Sequence, residues 1–291
     1  MTCTKCNKRA YCSGFCKEHF IEYFEKKARY TIRKFSLIGK KDKIAVAVSG
    51  GKDSTVLLYL LHKFGYDVTG VTVNAFIGDY TETNLKNLKS VCKKYGIPLQ
   101  EISVREEFGY SVCYIQSVLK EKGLPLQSCA VCGVLRRYLL NKYCKGFGVV
   151  ATGHTMDDEA QALLMNVLRN DTKQVYRGGP KTPGGKFVPR VKPLYLLKDK
   201  ETAAYSKAMK FPVNYGECPC STDAYRRNFR DFLNEFEEKH PNAKNNIVNF
   251  YLSEFWGKKA GTAPGVCGKC GEPASGKVCK ACQIIGHLKT Y

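Results

Sequence analysis

No stretch of the 291-residue chain approaches the roughly 18 consecutive apolar residues that a membrane-crossing helix needs. The first residues, MTCTKCNKRAYC, also lack the apolar core of a secretory signal. These two absences lead to the expectation of a cytoplasmic protein without membrane association. Acidic residues are scarce as well: 26 Asp and Glu stand against 47 Lys and Arg, a formal net charge of +21. The basic side chains run along the whole chain rather than collecting in one tail. That balance suits a polyanionic partner, most simply nucleic acid. Missing too is the GxxxxGK[ST] pattern, so the chain has no Walker A loop.

Cysteine is what the chain has in excess, 15 residues in all. Without an export signal, thiols in this number argue for metal ligation rather than disulfides. Cys3-x2-Cys6 followed by Cys16-x2-His19 suits a tetrahedral zinc site. Cys12 could exchange with Cys16, which is favoured because the Cys-x2-His pair opens a helix containing Phe20, Ile21, Tyr23 and Phe24. At the other end, Cys267-x2-Cys270 and Cys279-x2-Cys282 form a four-thiolate zinc signature. So short a tail has no core of its own, and a metal would supply its folding free energy. Gly257, Gly261 and Gly265 mark a flexible linker before it. The expected organisation is a zinc module over 1–22, a catalytic domain over 23–258, and a linker with a second zinc module over 259–291, holding two Zn2+ in total. The tail module is expected to be separable from the main core.

The rest of the chain is arranged around residues 44–64, IAVAVSGGKDSTVLLYLLHKF. Ile44 to Val48 reads as a strand buried on both faces, and Thr55 to Phe64 has helical spacing. Between them lies Ser49-Gly50-Gly51-Lys52-Asp53-Ser54. Its glycines let the backbone approach a phosphate, and the free N–H groups of the first helical turn point at it. Ser49, Ser54 and Lys52 add donors and charge. Further strands at 68–74, 99–104 and 149–152 alternate with helices at 82–95, 111–122, 134–143 and 160–168. This alternation predicts an α/β fold with a doubly wound parallel sheet, its ligands beyond the carboxyl ends of the strands.

Gly153, His154, Asp157 and Asp158 follow such a strand end and read as a second edge of the nucleotide site, although acidic groups at a helix start are also ordinary caps. Residues 170–193, rich in Gly, Pro, Lys and Arg, could form a lid or an RNA-contacting segment. A helix over 222–239 carries Tyr225, Phe229, Phe232, Leu233 and Phe236 as a stripe expected in the core. Its Arg226, Arg227 and Arg230 could meet phosphate. A last helix is expected over 244–256. Cys92, Cys113 and Cys144 sit among apolar neighbours and read as buried fillers. Cys129, Cys132 and Cys218 lie near Gly or Pro close to helix starts, where the dipole favours thiolates.

The SGGKDS turn, in its strand–loop–helix setting, resembles the SGGxDS loop of the ATP pyrophosphatases, which cleave ATP between the α and β phosphates to make adenylated intermediates. Adding the Cys129-x2-Cys132 pair and the Cys218-Pro turn, the chain resembles the TtcA/TtuA group of tRNA 2-thiolation enzymes. The two terminal zinc modules narrow this to the TtuA/NcsA branch, and the similarity spans essentially the whole chain. It implies a PP-loop, adenine-nucleotide alpha-hydrolase-like fold, a homodimer, and a [4Fe-4S] cluster held by Cys129, Cys132 and Cys218 with one iron open to the transferred sulfur. It further implies an adenylated uridine. ATP would bind to Ser49, Gly50, Gly51, Lys52, Asp53, Ser54, Gly153 and His154, with Asp53, Asp157 and Asp158 handling Mg2+ or protons. The zinc modules and scattered Lys and Arg would grip tRNA.

Sulfur would come from free sulfide, a thiocarboxylated carrier protein or a persulfide, and the wobble uridine is favoured over the T-loop. Two residues depart from the pattern. Cys220 offers a fourth sulfur, which opens the rival of a closed four-cysteine zinc site or a fully ligated cluster. Arg136 stands where members can carry a catalytic Lys; it stays protonated and would stabilise phosphate only. Two other functions stay open: a different ATP-pyrophosphatase ligase, which needs no middle thiols, and a zinc-dependent RNA-binding protein, which needs no SGGKDS loop.

Overall fold

The computed structural model describes residues 1–124, 126, 128–182, 184–221, 225–258 and 265–288. In chain order the elements are α1 (Lys17–Lys34), β1 (Ile44–Ala47), α2 (Lys52–Lys63), β2 (Val68–Asn74), α3 (Gly78–Tyr95), β3 (Leu99–Ser103), α4 (Val104–Phe108), α5 (Val112–Glu121), α6 (Ser128–Tyr143) and β4 (Val149–Thr152). They continue with α7 (Met156–Leu168), α8 (Thr172–Tyr176), β5 (Lys181–Thr182), β6 (Arg190–Val191), α9 (Asp199–Ala208), α10 (Tyr225–Lys239), α11 (Ala243–Glu254), β7 (Gly265–Val266), β8 (Pro273–Ala274) and α12 (Lys280–Gly286). A 3-10 turn, Pro219–Ser221, lies before α10.

Six strands form one sheet in the order β3-β2-β1-β4-β6-β5, parallel except where β5 meets β6. Ile44 pairs with Val68 on one side of β1 and with Val149 on the other. The chain winds outward from β1 through β2 and β3, then returns to place β4 on the opposite flank of β1. Strand order therefore reverses between β1 and β4, which opens a crevice at their carboxyl ends.

Successive side chains of a strand alternate between faces, and that period divides the interior in two. Ile44 and Val46 join a core with Phe20, Phe24, Leu57, Leu61 and Tyr205, contributed by α1, α2 and α9. Ala45 and Val150 join a second core with Ile115, Leu135 and Leu139 of α5 and α6. Both faces are covered, as the apolar strands require.

Four sequence expectations are revised. Helix α6 starts at Ser128 rather than near residue 134, because nothing in Ser-Cys-Ala-Val-Cys breaks a helix; both cysteines thus lie on its first turns. The 170–193 segment is not one loop: α8 folds within it, and β5 and β6 extend the sheet. Of the α10 stripe only Leu233 is buried, while Phe232 and Phe236 are exposed. The tail module, finally, is docked rather than separate. Ala281, Ile284 and Leu288 are buried in the same core as Leu135 and Leu139, and Asn141 Nδ2 donates to Glu272 Oε2 at 2.9 Å. The linker expected over 259–264, with Gly261, lies outside the described residues, as do 222–224 at the expected start of the α10 helix.

Candidate active site

The turn after β1 is built around a position only glycine can fill. Gly50 has φ +79°, and a Cβ there would lie 2.6 Å from the Asn84 carbonyl oxygen. The turn is closed by serine. Ser54 Oγ donates to the Gly51 carbonyl and accepts from the Ser49 N–H, both at 3.2 Å. Gly51 caps α2 with no side-chain acceptor, so the helix's first N–H groups face the crevice. The loop after β4 is pressed against this turn: a Cβ on Gly153 would sit 2.9 Å from the Asp53 carbonyl carbon and the Ser54 nitrogen. His154 Nδ1 meets Thr152 Oγ1 at 2.9 Å beside it.

Lys52 Nζ is held by Asp53 at 2.9 Å and by Asp199 at 2.5 Å. Burial works against its charge, but the two carboxylates outweigh burial and lift its pKa above the usual lysine value. Asp53 moves the other way. Desolvation, only partly offset by Lys52 and reinforced by Asp199 and Asp158, pushes it up to about 6.

The paired aspartates divide in role. Asp157 is buried, and its oxygens accept from Lys244 Nζ at 2.6 Å and from the Asp199 N–H at 2.7 Å. It therefore clamps α7 to α9 and α11, with each carboxylate oxygen holding one of these partners. Asp158 caps α7 through the Thr155 N–H at 2.9 Å and faces Arg226 at 4.0 Å. Arg227 and Arg230 are drawn instead to Glu217, at 3.3 and 2.6 Å. Asp199 and Lys244 carried no signal in the sequence, since nothing local distinguishes either from an ordinary helical polar residue.

A cavity of about 310 Å³ joins this turn to the middle thiols: its wall includes Ser49, Asn84, Cys129, Cys132, Arg136, Cys218 and Cys220. Cys129 and Cys132 come from the first two turns of α6, Cys218 and Cys220 from around the Pro219 turn. Cys129 Sγ reaches the Cys220 carbonyl at 3.5 Å. Burial raises the Cys132 thiol pKa, and the adjacent Arg136 guanidinium, hydrogen-bonded to it, works against the rise. Arg136 thus faces sulfur as well as any phosphate. Burial, then the Cys113 and Cys218 thiols, push Cys220 up to about 11. Cys113, read from sequence as a buried filler, is exposed and hydrogen-bonds to Cys220. Cys92 and Cys144 are buried.

Two further groups have the geometry of a single-ion site: Cys3, Cys6, Cys16 and His19, and Cys267, Cys270, Cys279 and Cys282, each with ligand atoms within 4.8 Å of one another. Cys6 Sγ lies 3.7 Å from Cys16 Sγ and Cys270 Sγ 3.8 Å from Cys279 Sγ, near the about 3.8 Å edge of a tetrahedron with Zn–S bonds of about 2.3 Å. Burial notwithstanding, backbone N–H donors draw the Cys3 thiol down to about 5, and donors led by the Cys279 N–H take Cys267 down to about 6. Cys12 stands outside the first group, beside Ser13. Among the described residues the middle cysteines do not form a further group of this kind.

Residues 21–235 match the PP-loop domain family. The tRNA-5-methyluridine(54) 2-sulfurtransferase of Pyrococcus horikoshii is 38% identical, with 99% of this chain and 95% of that protein aligned. Cytoplasmic tRNA 2-thiolation protein 1 of Drosophila ananassae is 35% identical over 94% of this chain and 82% of its own. Among solved structures, the U34-tRNA thiolase NcsA from Methanococcus maripaludis with its [4Fe-4S] cluster superposes with a TM-score of 0.84 at 28% identity, covering 99% of this chain and 96% of that one. An SGGKDS turn at the sheet's switch point, a thiol-walled cavity beside it and full-length kinship of this degree lead to one assignment: the chain belongs to the PP-loop family, in its TtuA/NcsA branch.

Proposed function

We propose that this protein is an ATP-dependent tRNA 2-thiouridine synthetase that adenylates the uracil C2 oxygen and then replaces that oxygen with sulfur. The observation that carries the reading is the single cavity shared by Ser49 of the ATP turn and Cys129, Cys132 and Cys218. A uracil C2 carbonyl is a weak electrophile with a poor leaving group, and AMP transfer to its oxygen corrects both. The α2 N-terminus, Ser49, Ser54 and Lys52 would hold the ATP phosphates and stabilise the departing pyrophosphate. Asp53 and Asp158 are the carboxylates left to handle Mg2+ or a proton, since Asp157 is engaged by Lys244 and Asp199. Cys129, Cys132 and Cys218 would hold a [4Fe-4S] cluster, which when bound supplies an iron site for the sulfur to be transferred. Arg136 would favour charge on sulfur at Cys132. Two Zn2+ would occupy the terminal sites and order their loops.

The sulfur donor is read as free sulfide or a thiocarboxylated carrier protein, the assembly as a homodimer, and the compartment as cytoplasmic. Of the relatives named above, the Pyrococcus horikoshii enzyme acts, by its name, at U54 and the Methanococcus maripaludis thiolase at U34. Mass spectrometry of tRNA nucleosides from cells lacking the protein tests the reading and assigns the position. Loss of wobble 2-thiouridine supports the position favoured from sequence, loss of 5-methyl-2-thiouridine moves it to the T-loop, and loss of neither overturns the function.

A further inference from the structure

We infer that the groove between α6, β6 and the C-terminal module is a phosphodiester-binding track that lays an RNA strand beside the thiol cavity. The inference rests on the tRNA reading above and names the surface that reading leaves unassigned. The groove encloses about 670 Å³, and Arg137, Arg177, Arg190, Lys280 and Phe187 line it. The four cations come from four different segments: α6, the end of α8, β6 and α12. Among the described residues none of the four forms an ion pair. Glu272, the carboxylate in the wall, is engaged by Asn141 and Lys145. None of these four cations is therefore spent on a carboxylate of the groove wall.

Arg137 and Arg190 are also held together. Arg190 Nη2 donates to the Arg137 carbonyl at 3.3 Å. Desolvation, and then the neighbouring Arg137 charge, hold the Arg190 pKa below the usual arginine value. Two like charges kept this close favour an anion between or across them. A small anion needs one focus of charge, whereas here Arg177 of the α8 end and Lys280 of α12 add cations to the Arg137–Arg190 pair from other segments of the wall. Phe187, 37% exposed, adds a ring face on which a base can stack. Several cations sharing a groove with an exposed aromatic ring fit a nucleic-acid strand rather than free phosphate.

Helix α6 ties the groove to the chemistry. Cys129, Cys132, Gly133 and Arg136 recur at helical spacing on the face toward the cavity. Val134, Arg137, Tyr138 and Asn141 recur on the face toward the groove. A Cβ on Gly133 would lie 3.1 Å from Arg137 Nη1, so the guanidinium rests on the turn that carries Cys132. A strand held in the groove has one helix's width between its backbone and the sulfur site.

The test is equilibrium binding of an unmodified tRNA transcript to the metal-loaded full chain over a salt series, without ATP or a sulfur source. Failure of the catalytic reading would then not affect the result. Arg137→Ala/Arg190→Ala should flatten the slope of log affinity against log salt by about 1.4 to 1.8, two phosphate contacts at about 0.7 to 0.9 each. Arg137→Lys/Arg190→Lys should restore most of the slope. Phe187→Ala should weaken binding with the slope unchanged. Lys280→Glu, on the rim, is a second charge variant should the double alanine melt early. A wild-type slope in both charge variants would overturn the track. So would inorganic pyrophosphate displacing tRNA as effectively as a competing RNA, which would make the groove a small-anion site.

Discussion

Asp157 and Lys244 exemplify charges that anchor the site without entering it. Lys244 is 4% exposed, and its ammonium is held by Asp157, Asn234 and Glu237. Removing Asp157 leaves that charge buried short of its shortest-bonded carboxylate, a change that typically costs about 3–5 kcal/mol. Asp157→Ala should therefore lower the melting temperature markedly, while Asp157→Leu combined with Lys244→Met should recover much of it. A melting temperature for Asp157→Ala equal to wild type would return that carboxylate to the catalytic list. Gly153 gives a sharper case. Gly153→Ala would push a methyl group against the Asp53–Ser54 peptide, so ATP binding should be largely lost while the absorbance of the reconstituted cluster persists. Had Gly153 been placed only by local backbone preference, ATP affinity would fall little.

At the scale of elements, strands and thiols were unequally legible. β1, β2 and β4 were readable because branched apolar residues filled both faces, and their observed bounds agree with the sequence to within a residue. β5 and β6 have two residues each, too few to display a period, so a Gly- and Pro-rich stretch hid a sheet edge. The aromatic face of α10 misled for a related reason. Periodicity marks an apolar face but not whether anything covers it.

The cysteine trio was singled out through family resemblance and lines one cavity, whereas the Cys113–Cys220 contact joins α5 to the Pro219 turn, far apart in sequence. This bears on cluster assembly. Cys129, Cys132 and Cys218 line the cavity with Cys220, whose thiol neighbours both Cys218 and Cys113, and the resemblance assigns the ligand role to the first three. Alanine at any of the first three should abolish both cluster absorbance and thiolation, while Cys220→Ala should keep much of each. Cluster loss in Cys220→Ala as complete as in Cys218→Ala would show four protein ligands and no open iron.

For the whole molecule, the docked tail reverses the expectation that it can be removed without consequence for the main core. Ala281, Ile284 and Leu288 complete the core that backs the cysteine-bearing helix, against Leu135 and Leu139. Glu272 is 6% exposed and accepts from Asn141 of the same helix, while Lys122 Nζ donates to the His287 carbonyl at 2.7 Å. Full burial of an Ile or Leu side chain contributes about 1.5–3 kcal/mol, so Ile284→Ala/Leu288→Ala should cost several kcal/mol with the four thiolates untouched. Such a loss corresponds to roughly 2–4 °C per kcal/mol in chains of about this size. Cys267→Ser/Cys270→Ser takes two of the four thiols from the candidate metal site, so on the proposed zinc reading its melting temperature should fall at least as far. Deleting residues 265–291 should do the same and also weaken tRNA binding, because Lys280 leaves with the module. ATP affinity should suffer least, since the Ser49 turn packs on the other core. The decisive comparison is between the packing variant and the deletion. If the deletion melts at the wild-type temperature while Ile284→Ala/Leu288→Ala does not, the tail is an independent module. Equal losses in both make it the second wall of the core behind α6.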